Sequence, residues 1–351
     1  MARASGYTGA LPVAVRSLFS LAPGTGPRHG VAIRAALSMG VPYTALLLIG
    51  RPDLGLQAGA GAFVALYGVS LLAKERAKVL PFVGLGMFAC AALGVFLTPW
   101  TIAFSVGLVA VAVGVSAAAF AFRLGPPGPV FFVLLYGLGG NVTAVIDGHR
   151  EHSPAVFLTA FGAGIIFSYL LAVVPLVLPA ARRAVARPLR ELLPGPWLGR
   201  GEWELVLRVA VVAVVGTLVT VNFLDPHRAY WTVAAGVACV GLSATRSYSL
   251  GRGLHRTVGT VLGAVLYFLI APLGENPWLL VVILPVLQFV IEQVVVRNYA
   301  LALIFITPLV LFITGAAVPG VDLEVTAWVR VVDTLIGSAI AILTTPFHRR
   351  R

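Results

Sequence analysis

The chain has 351 residues, of which 59% are hydrophobic and only 11% carry a charge, and its mean hydropathy is +0.97. A soluble domain carries charge on about a quarter of its residues. The composition therefore excludes a cytosolic enzyme, a disordered chain and a nucleic-acid-binding module, despite the net charge of +12. A segment that crosses lipid must satisfy its own backbone hydrogen bonds, so we expect an all-α integral membrane protein.

We expect no cleavable signal in the first thirty residues, because Arg16 interrupts the short apolar stretch from Leu11 to Leu21. We expect a cytoplasmic tail over residues 1–30. Beyond it, apolar runs recur with a length near the roughly 20 residues that cross a bilayer as a helix. They predict about twelve transmembrane helices, over residues 31–50, 54–73, 79–97, 100–122, 128–146, 155–178, 205–223, 229–245, 257–273, 277–296, 299–315 and 328–346.

The basic residues predict the orientation of these helices. With the N-terminus inside, all of the 25 basic residues except Arg51, Arg150, Arg228 and Arg330 lie on the cytoplasmic side. Cytoplasmic loops of membrane proteins are enriched in Lys and Arg. We therefore expect a multi-pass protein of the cell (cytoplasmic) membrane with both termini in the cytoplasm.

The chain also resembles itself at a spacing of about half its length. Arg34 and Arg208 begin the first helix of each half, and Thr159-Ala160-Phe161-Gly162 corresponds to Thr334-Leu335-Ile336-Gly337. Each half holds an even number of helices, which predicts two parallel six-helix repeats related by a pseudo-two-fold axis along the membrane normal. The predicted repeats are residues 31–179 and 205–346. A basic cytoplasmic linker over 180–204 joins them, and a short tail over 347–351 follows.

Two arginines form a symmetric pair in this repeat. If Arg34 and Arg208 face the interface between the halves, they attract a carboxylate from the cytoplasm. Each alone is also typical of an arginine that anchors a helix at the membrane surface.

Two acidic residues lie inside predicted helices, where an ionisable group needs a partner or a function. Asp333 has Arg330 three residues earlier on the same helix face, and Glu292 lies near Arg297, Arg256 and Arg208 at the cytoplasmic side. Structural ion pairs and proton coupling explain these acids about equally well.

Aromatic residues and histidines give weaker signals. Tyr230 and Trp231 open the eighth helix and Tyr299 opens the eleventh, and all three are candidates for stacking on a ring-bearing substrate, with membrane-interface anchoring or core packing as the alternative. His149 and His152 share a short loop with Asp147 and Glu151 that favours a solvated surface over a metal site. We expect no metal and no cofactor.

Four short motifs in the second half resemble the fusaric acid resistance protein family, which is related to bacterial aromatic acid exporters and more distantly to aluminium-activated malate transporters. The motifs are Arg228-Ala229-Tyr230-Trp231, Arg256-Thr257-Val258-Gly259-Thr260-Val261-Leu262-Gly263, Arg297-Asn298-Tyr299-Ala300-Leu301-Ala302 and Arg330-Val331-Val332-Asp333-Thr334-Leu335-Ile336-Gly337. The resemblance implies a six-helix unit that moves organic or aromatic carboxylates across the inner membrane. In the first half, Ala155 and Leu158 stand where Arg330 and Asp333 stand in the second.

These observations predict a transporter rather than an enzyme. We expect it to export organic carboxylate anions, and aromatic ones in particular. Arg34 and Arg208 are its expected anion site, and Glu292 and Asp333 its expected coupling carboxylates with Arg256, Arg297 and Arg330 as counter-ions. A passive anion channel, and a membrane-embedded enzyme or assembly factor with a lipid-like substrate, are the alternatives. We expect an organic anion and membrane lipids as partners. The sequence leaves open whether the chain forms a homo-oligomer.

Overall fold

The computed structural model describes residues 7–23, 26, 28–146, 148–150, 152–242, 246–315 and 323–345, and nearly all of them are helical. The predicted tail at 347–351 and part of the tail at 1–30 lie outside the described residues. A two-stranded antiparallel hairpin joins Val145–Ile146 to His149–Arg150. The helices are α1 Tyr7–Leu18, α2 His29–Leu48, α3 Pro52–Ala60, α4 Ala73–Leu97, α5 Thr101–Ala121, α6 Val130–Val142, α7 Pro154–Val173, α8 Pro179–Arg183, α9 Leu189–Leu192, α10 Arg200–Phe223, α11 Ala229–Val240, α12 Arg246–Ile270, α13 Pro277–Val294, α14 Tyr299–Gly315 and α15 Leu323–Leu343.

Among the described residues, eight helical segments are long and apolar enough to cross a membrane. They are His29–Leu48, Ala73–Leu97, Thr101–Ala121, Pro154–Val177, Arg200–Phe223, Tyr248–Glu275, Pro277–Val294 and Val325–Leu343. This finding confirms an all-α membrane protein, whereas the number of twelve spans stays a prediction. The other four predicted spans coincide with α3, α6, α11 and α14, which are shorter.

The four short helices do not match the thickness of a bilayer. At about 1.5 Å per residue, the 12 residues of α11 extend roughly 18 Å, against a hydrocarbon core of about 30 Å. Helix α3 has only 9 residues and continues as a 3-10 helix over Gly61–Leu66. Nearly every residue of α6 and α11 is buried, so these helices form the centre of the bundle and the longer ones surround them.

The two halves of the bundle pair their helices in the same order. In the first half, α4 packs on α6 and α7, α3 packs on α7, and α2 packs on α3. In the second half, α12 packs on α14 and α15, α11 packs on α15, and α10 packs on α11. Between the halves, α2 contacts α13, α10 contacts α5, and α6 contacts α11 at the centre.

The segment between the halves is bound to the first half. The guanidinium of Arg187 donates two hydrogen bonds to the carboxylate of Glu75 at the start of α4, and Lys78 Nζ donates to the Arg187 carbonyl at 2.8 Å. Further along, the backbone N–H of Trp197 donates to the carbonyl of Ala121 at the end of α5. We call the end of the bundle that holds this segment and the starts of α2 and α4 the basic end.

Candidate functional site

A cavity of about 670 Å³ lies between the two halves and reaches the basic end. Its inner wall comes from the short helices, with Phe63 of the 3-10 helix and Phe131 of α6 from the first half, and Trp231 of α11 and Leu303 of α14 from the second. At the basic end, residues 68–71, 123–127 and 192–193 line it. Unusually short segments at corresponding positions of two halves are a known indicator of a transporter binding site.

The charged residues of this cavity are mostly basic. Its walls carry one carboxylate, that of Glu292, among the described residues that line it. The arginines that line it come from both halves and from several helices: Arg28, Arg123, Arg252, Arg256 and Arg330. The cavity therefore carries a net positive charge and attracts anions.

Aromatic rings hold three of these arginines in place. The guanidinium carbon of Arg252 lies 4.1 Å from the centre of the Tyr299 ring, and that of Arg330 lies 4.0 Å from the Trp231 ring. Arg256 Nη1 donates a hydrogen bond of 2.8 Å to the Tyr299 hydroxyl. An arginine on an aromatic face keeps its charge and its in-plane donors while it loses conformational freedom.

Two of the same arginines have hydrogen-bond donors without an acceptor. The Nε atoms of Arg256 and Arg330 are buried and have no hydrogen-bond partner among the described residues. A buried guanidinium donor without an acceptor is costly unless a ligand supplies one. Arg256 and Arg330 also lie near enough for their charges to interact, so a single anion can approach both.

Glu292 has a partner that the sequence analysis did not name. Arg28 Nη2 lies 2.9 Å from Glu292 Oε2, and Arg28 Nε donates to the Glu292 carbonyl at 2.8 Å. The expected pairing with Arg297, Arg256 or Arg208 is therefore wrong. Arg28 precedes α2 and reaches Glu292 because α2 and α13 pack against each other across the halves.

Asp333 also differs from the expected pairing. Its carboxylate lies 3.5 Å from Arg228 Nε and accepts a hydrogen bond of 3.3 Å from Thr232 Oγ1. Arg330, three residues earlier, turns into the cavity and onto Trp231, so the local pair predicted within α15 does not form. The predicted span over residues 328–346 would place Asp333 about one turn from its start. Helix α15 begins at Leu323, so Asp333 lies in the middle of the helix.

The predicted anion pair is separated from the cavity. Arg208 is 1% exposed and donates to Thr344 Oγ1 at 3.0 Å and to Ser249 Oγ at 2.8 Å, within the second half. Neither Arg208 nor Arg34 is among the described residues that line the cavity. The structure therefore does not bring the two arginines together at this site.

Two other predicted residues take different places. Tyr230 is buried behind Trp231, with its ring stacked on the indole at 5.0 Å, and does not line the cavity. Arg297 is exposed in the short connection between α13 and α14, so its predicted role as a buried counter-ion is not supported by its position.

Three cavity arginines were missed by the sequence analysis. Arg252 stands four residues before Arg256 and thus shares its helix face, a signal that was available in the sequence. Arg28 precedes the first predicted span and Arg123 follows the fourth, and neither carries a comparable pattern. Among the described residues, no three His, Cys, Asp or Glu side chains lie close enough to hold a metal ion, and Asp147 and Glu151 of the histidine loop lie outside the described residues.

A known protein family matches most of the second half of the chain. Residues 212–344 match the family model described as fusaric acid resistance protein-like. The chain is 33% identical over 124 residues to the uncharacterized membrane protein YvaC of Bacillus subtilis (strain 168). That match covers 35% of this chain and 20% of the relative, so the chain spans about a fifth of its length. No solved structure matches the chain.

The cavity residues of the second half lie within the part of the chain that matches this family model. Trp231, Arg252, Arg256, Tyr299 and Arg330 all fall inside residues 212–344. The more distant relation to aluminium-activated malate transporters stays a prediction. The chain is thus a multi-pass membrane protein whose second half is similar to the fusaric acid resistance protein-like family.

Proposed function

We propose that the protein transports organic anions, and aromatic carboxylates in particular, through the cavity between its halves. The observation that supports this proposal most directly is that Arg256 and Arg330 each have a buried Nε without an acceptor at this cavity. A carboxylate satisfies such donors through charge-assisted hydrogen bonds. The volume of about 670 Å³ is in the range of small-molecule sites.

The aromatic lining supports a ring-bearing substrate. Trp231 and Tyr299 already hold Arg330 and Arg252, and Phe63 and Phe131 face the same cavity from the first half with their rings stacked at 4.5 Å. Rings of this kind favour another ring in offset or edge contact. In the proposed complex the carboxylate binds the arginines of the second half and the ring lies toward the first.

The helix pairing supports two six-helix repeats, related by a pseudo-two-fold axis along the membrane normal, as the transport unit. The same pairs of helices pack within each half, and the first helix of each half contacts the fourth of the other. Rocking of one half against the other then exposes the cavity to each side in turn. With the basic end in the cytoplasm, as the distribution of arginine and lysine indicates, the inside-negative membrane potential drives anions outward, so we propose export.

Glu292 is the candidate for proton coupling, because it is the carboxylate at the cavity wall. Asp333 is bound to Arg228 and Thr232 away from the cavity, and we assign it a structural role. A passive channel is the second candidate function. It is favoured by the ion pair of Glu292 with Arg28, because an ion pair that only joins two helices takes no part in proton transfer.

The test uses purified protein in liposomes with labelled benzoate as the aromatic carboxylate. We expect flux well above that of empty liposomes, and at least a tenfold loss in Arg256→Gln and Arg330→Gln, because each variant removes a charged donor worth roughly 1.5–3 kcal/mol. Arg190→Gln, an exposed arginine of the linker, is the matched control and should transport at the wild-type rate.

Flux no faster than in empty liposomes, or wild-type flux in both cavity variants, contradicts the proposal. A pH gradient separates the two mechanisms. Proton-coupled transport follows the gradient and loses this response in Glu292→Gln, whereas a channel follows the membrane potential alone, by about 2.3 kcal/mol per charge per 100 mV.

A further inference from the structure

A second group of arginines lies outside the cavity, at the basic end of the first half. Arg34 is in the second turn of α2 and Arg76 in the first turn of α4. Arg76 is only 8% exposed, and its Cγ approaches Gly68, in the connection ahead of α4. Each helix thus places a guanidinium group at the basic end, and the charges of the two groups are close enough to interact.

These two arginines are not neutralised by the protein. Arg34 Nε, Arg34 Nη2 and Arg76 Nε are all buried without a hydrogen-bond partner in the described part of the chain. The charged neighbours that act on Arg34 are Arg76, a like charge, and Glu292. Glu292 is already bound by Arg28, so one carboxylate stands among three arginines.

The nearest other carboxylate is also occupied. Glu75 precedes Arg76 in the sequence, but it accepts two side-chain hydrogen bonds and one backbone hydrogen bond from Arg187 and another from the backbone of Leu72. Both acids near Arg34 and Arg76 therefore serve other partners. A buried pair of like charges without a counter-ion is strongly unfavourable.

The second half fills the corresponding place with a hydroxyl acceptor, which leaves Nη1 of Arg208 as its one buried nitrogen without a partner among the described residues. Arg208 of α10 corresponds to Arg34, and the fourth residue of α12 is Ser249, as the fourth residue of α4 is Arg76. Ser249 accepts a hydrogen bond from Arg208 at 2.8 Å, and Thr344 accepts another. In the first half an arginine occupies the place of the acceptor, so the two cations need an acceptor from outside.

We propose that Arg34 and Arg76 bind a phosphate-type anion at the basic end of the bundle. The forked guanidinium groups suit a tetrahedral oxyanion, and basic clefts between membrane helices at the cytoplasmic side bind phospholipid headgroups. Ile33 and Leu37, on either side of Arg34 in α2, are exposed apolar residues that can face lipid. The ligand is a phospholipid headgroup or free inorganic phosphate, and neither arginine is among the described residues that line the proposed transport cavity.

The test measures the Tm of the purified full-length protein in a neutral detergent. Inorganic phosphate is added in one arm and short-chain phosphatidylglycerol in the other, with phosphatidylcholine as the lipid control. We expect a rise of several degrees for the wild type in at least one of the two anionic arms. A rise in the lipid arm alone identifies the headgroup as the source, and a rise with inorganic phosphate identifies the free anion.

Arg76→Ser is the decisive variant, because it gives Arg34 the acceptor that Arg208 has. Its Tm without added anion should exceed that of the wild type, and the response to both anions should vanish. Arg190→Ser, which removes an exposed arginine of the linker at the same end, should keep the wild-type response. If Arg76→Ser does not fold, Arg76→Gln serves the same comparison.

Two results overturn the proposal. One is a wild-type Tm that does not change with either anion. The other is an equal response in the wild type and in the Arg76 variant, which would place any bound anion elsewhere. Neither result bears on benzoate flux, so this site and the proposed transport function fail separately.

Discussion

At the centre of the bundle, the two halves meet at a buried tyrosine. Tyr230 of α11 is 1% exposed, and its ring lies directly against Gly137 of α6. A Cβ at position 137 would overlap the Tyr230 ring atoms, so the glycine is what allows the two central helices to approach so closely. Small residues at helix crossings serve this purpose in membrane proteins.

Gly137→Ala should therefore destabilise the protein. The added methyl group must displace the Tyr230 ring, and overpacking of this kind costs roughly 1–3 kcal/mol. The measurement is the midpoint of thermal unfolding in detergent. Gly114→Ala is the control, because a Cβ at this exposed position of α5 meets nothing within 4 Å. Equal midpoints for the two variants would contradict the close contact.

At the scale of residues, several side chains that the sequence singled out lie together in the structure, but not with the partners expected for them. Arg256, Arg330, Trp231, Tyr299 and Glu292 were singled out by residue type and position, and the structure gathers all of them at one cavity. Their partners depend on how helices that are distant in sequence are rotated against each other. A spacing of three residues indicates a shared face but not which neighbouring helix that face meets.

At the scale of elements, the linker is a strap and not a free chain. Glu75 is 2% exposed, and its hydrogen bonds to Arg187 raise the pKa of that guanidinium and hold the middle of the linker on α4. Leu192 and Leu193, a few residues further on, line the cavity. The position of the strap at the basic end of the cavity therefore depends on one carboxylate.

Glu75→Gln should release the strap. An amide retains at most part of the bonding to Arg187 and loses the charge, so the linker should open more often. We expect trypsin to cut the linker after Arg182, Arg183 and Arg190 several-fold faster than in the wild type, whereas Arg187 precedes Pro188 and is not a trypsin site. Glu191→Gln, an exposed acid of the same linker, is the control and should be cut at the wild-type rate. Unchanged cleavage in Glu75→Gln would show that other contacts hold the strap.

The lengths of the elements explain why the sequence predicted twelve spans. Apolar runs around α3, α6, α11 and α14 resemble membrane spans in composition, but they are apolar because protein surrounds them. Composition alone does not distinguish a helix buried in protein from one exposed to lipid. The alignment of the two repeats also differs at the last helix of each half. The sequence aligned Gly162 with Gly337. In the structure it is Gly164 that lies against a carbonyl of α3, as Gly337 lies against a carbonyl of α11.

At the scale of the whole molecule, the halves are joined by two unlike seams. In one, α2 and α13 are linked by the Arg28–Glu292 ion pair, by a hydrogen bond from the Tyr43 hydroxyl to the Pro277 carbonyl and by the contact of Gly40 with Pro285. In the other, α5 and α10 leave an apolar groove of about 590 Å³ between them. The polar seam is therefore the stronger connection, and its ion pair is the contact most sensitive to charge.

Removal of the two partners of this pair should have unequal effects. The Arg28 side chain is 16% exposed and that of Glu292 6%, so Arg28→Ala leaves a buried carboxylate without its bound counter-ion and should cost roughly 3–5 kcal/mol. Glu292→Gln leaves an arginine that can still reach water and should cost less. In the double variant the buried charge is gone, so stability should recover most of the loss seen in Arg28→Ala. The measurement is a double-mutant cycle on the free energy of unfolding in detergent.

Asp53→Asn is the matched control, because the Arg51–Asp53 pair has side chains 49% and 32% exposed and should contribute less than about 1 kcal/mol. Additive losses in the double variant would mean that the ion pair does not join the halves.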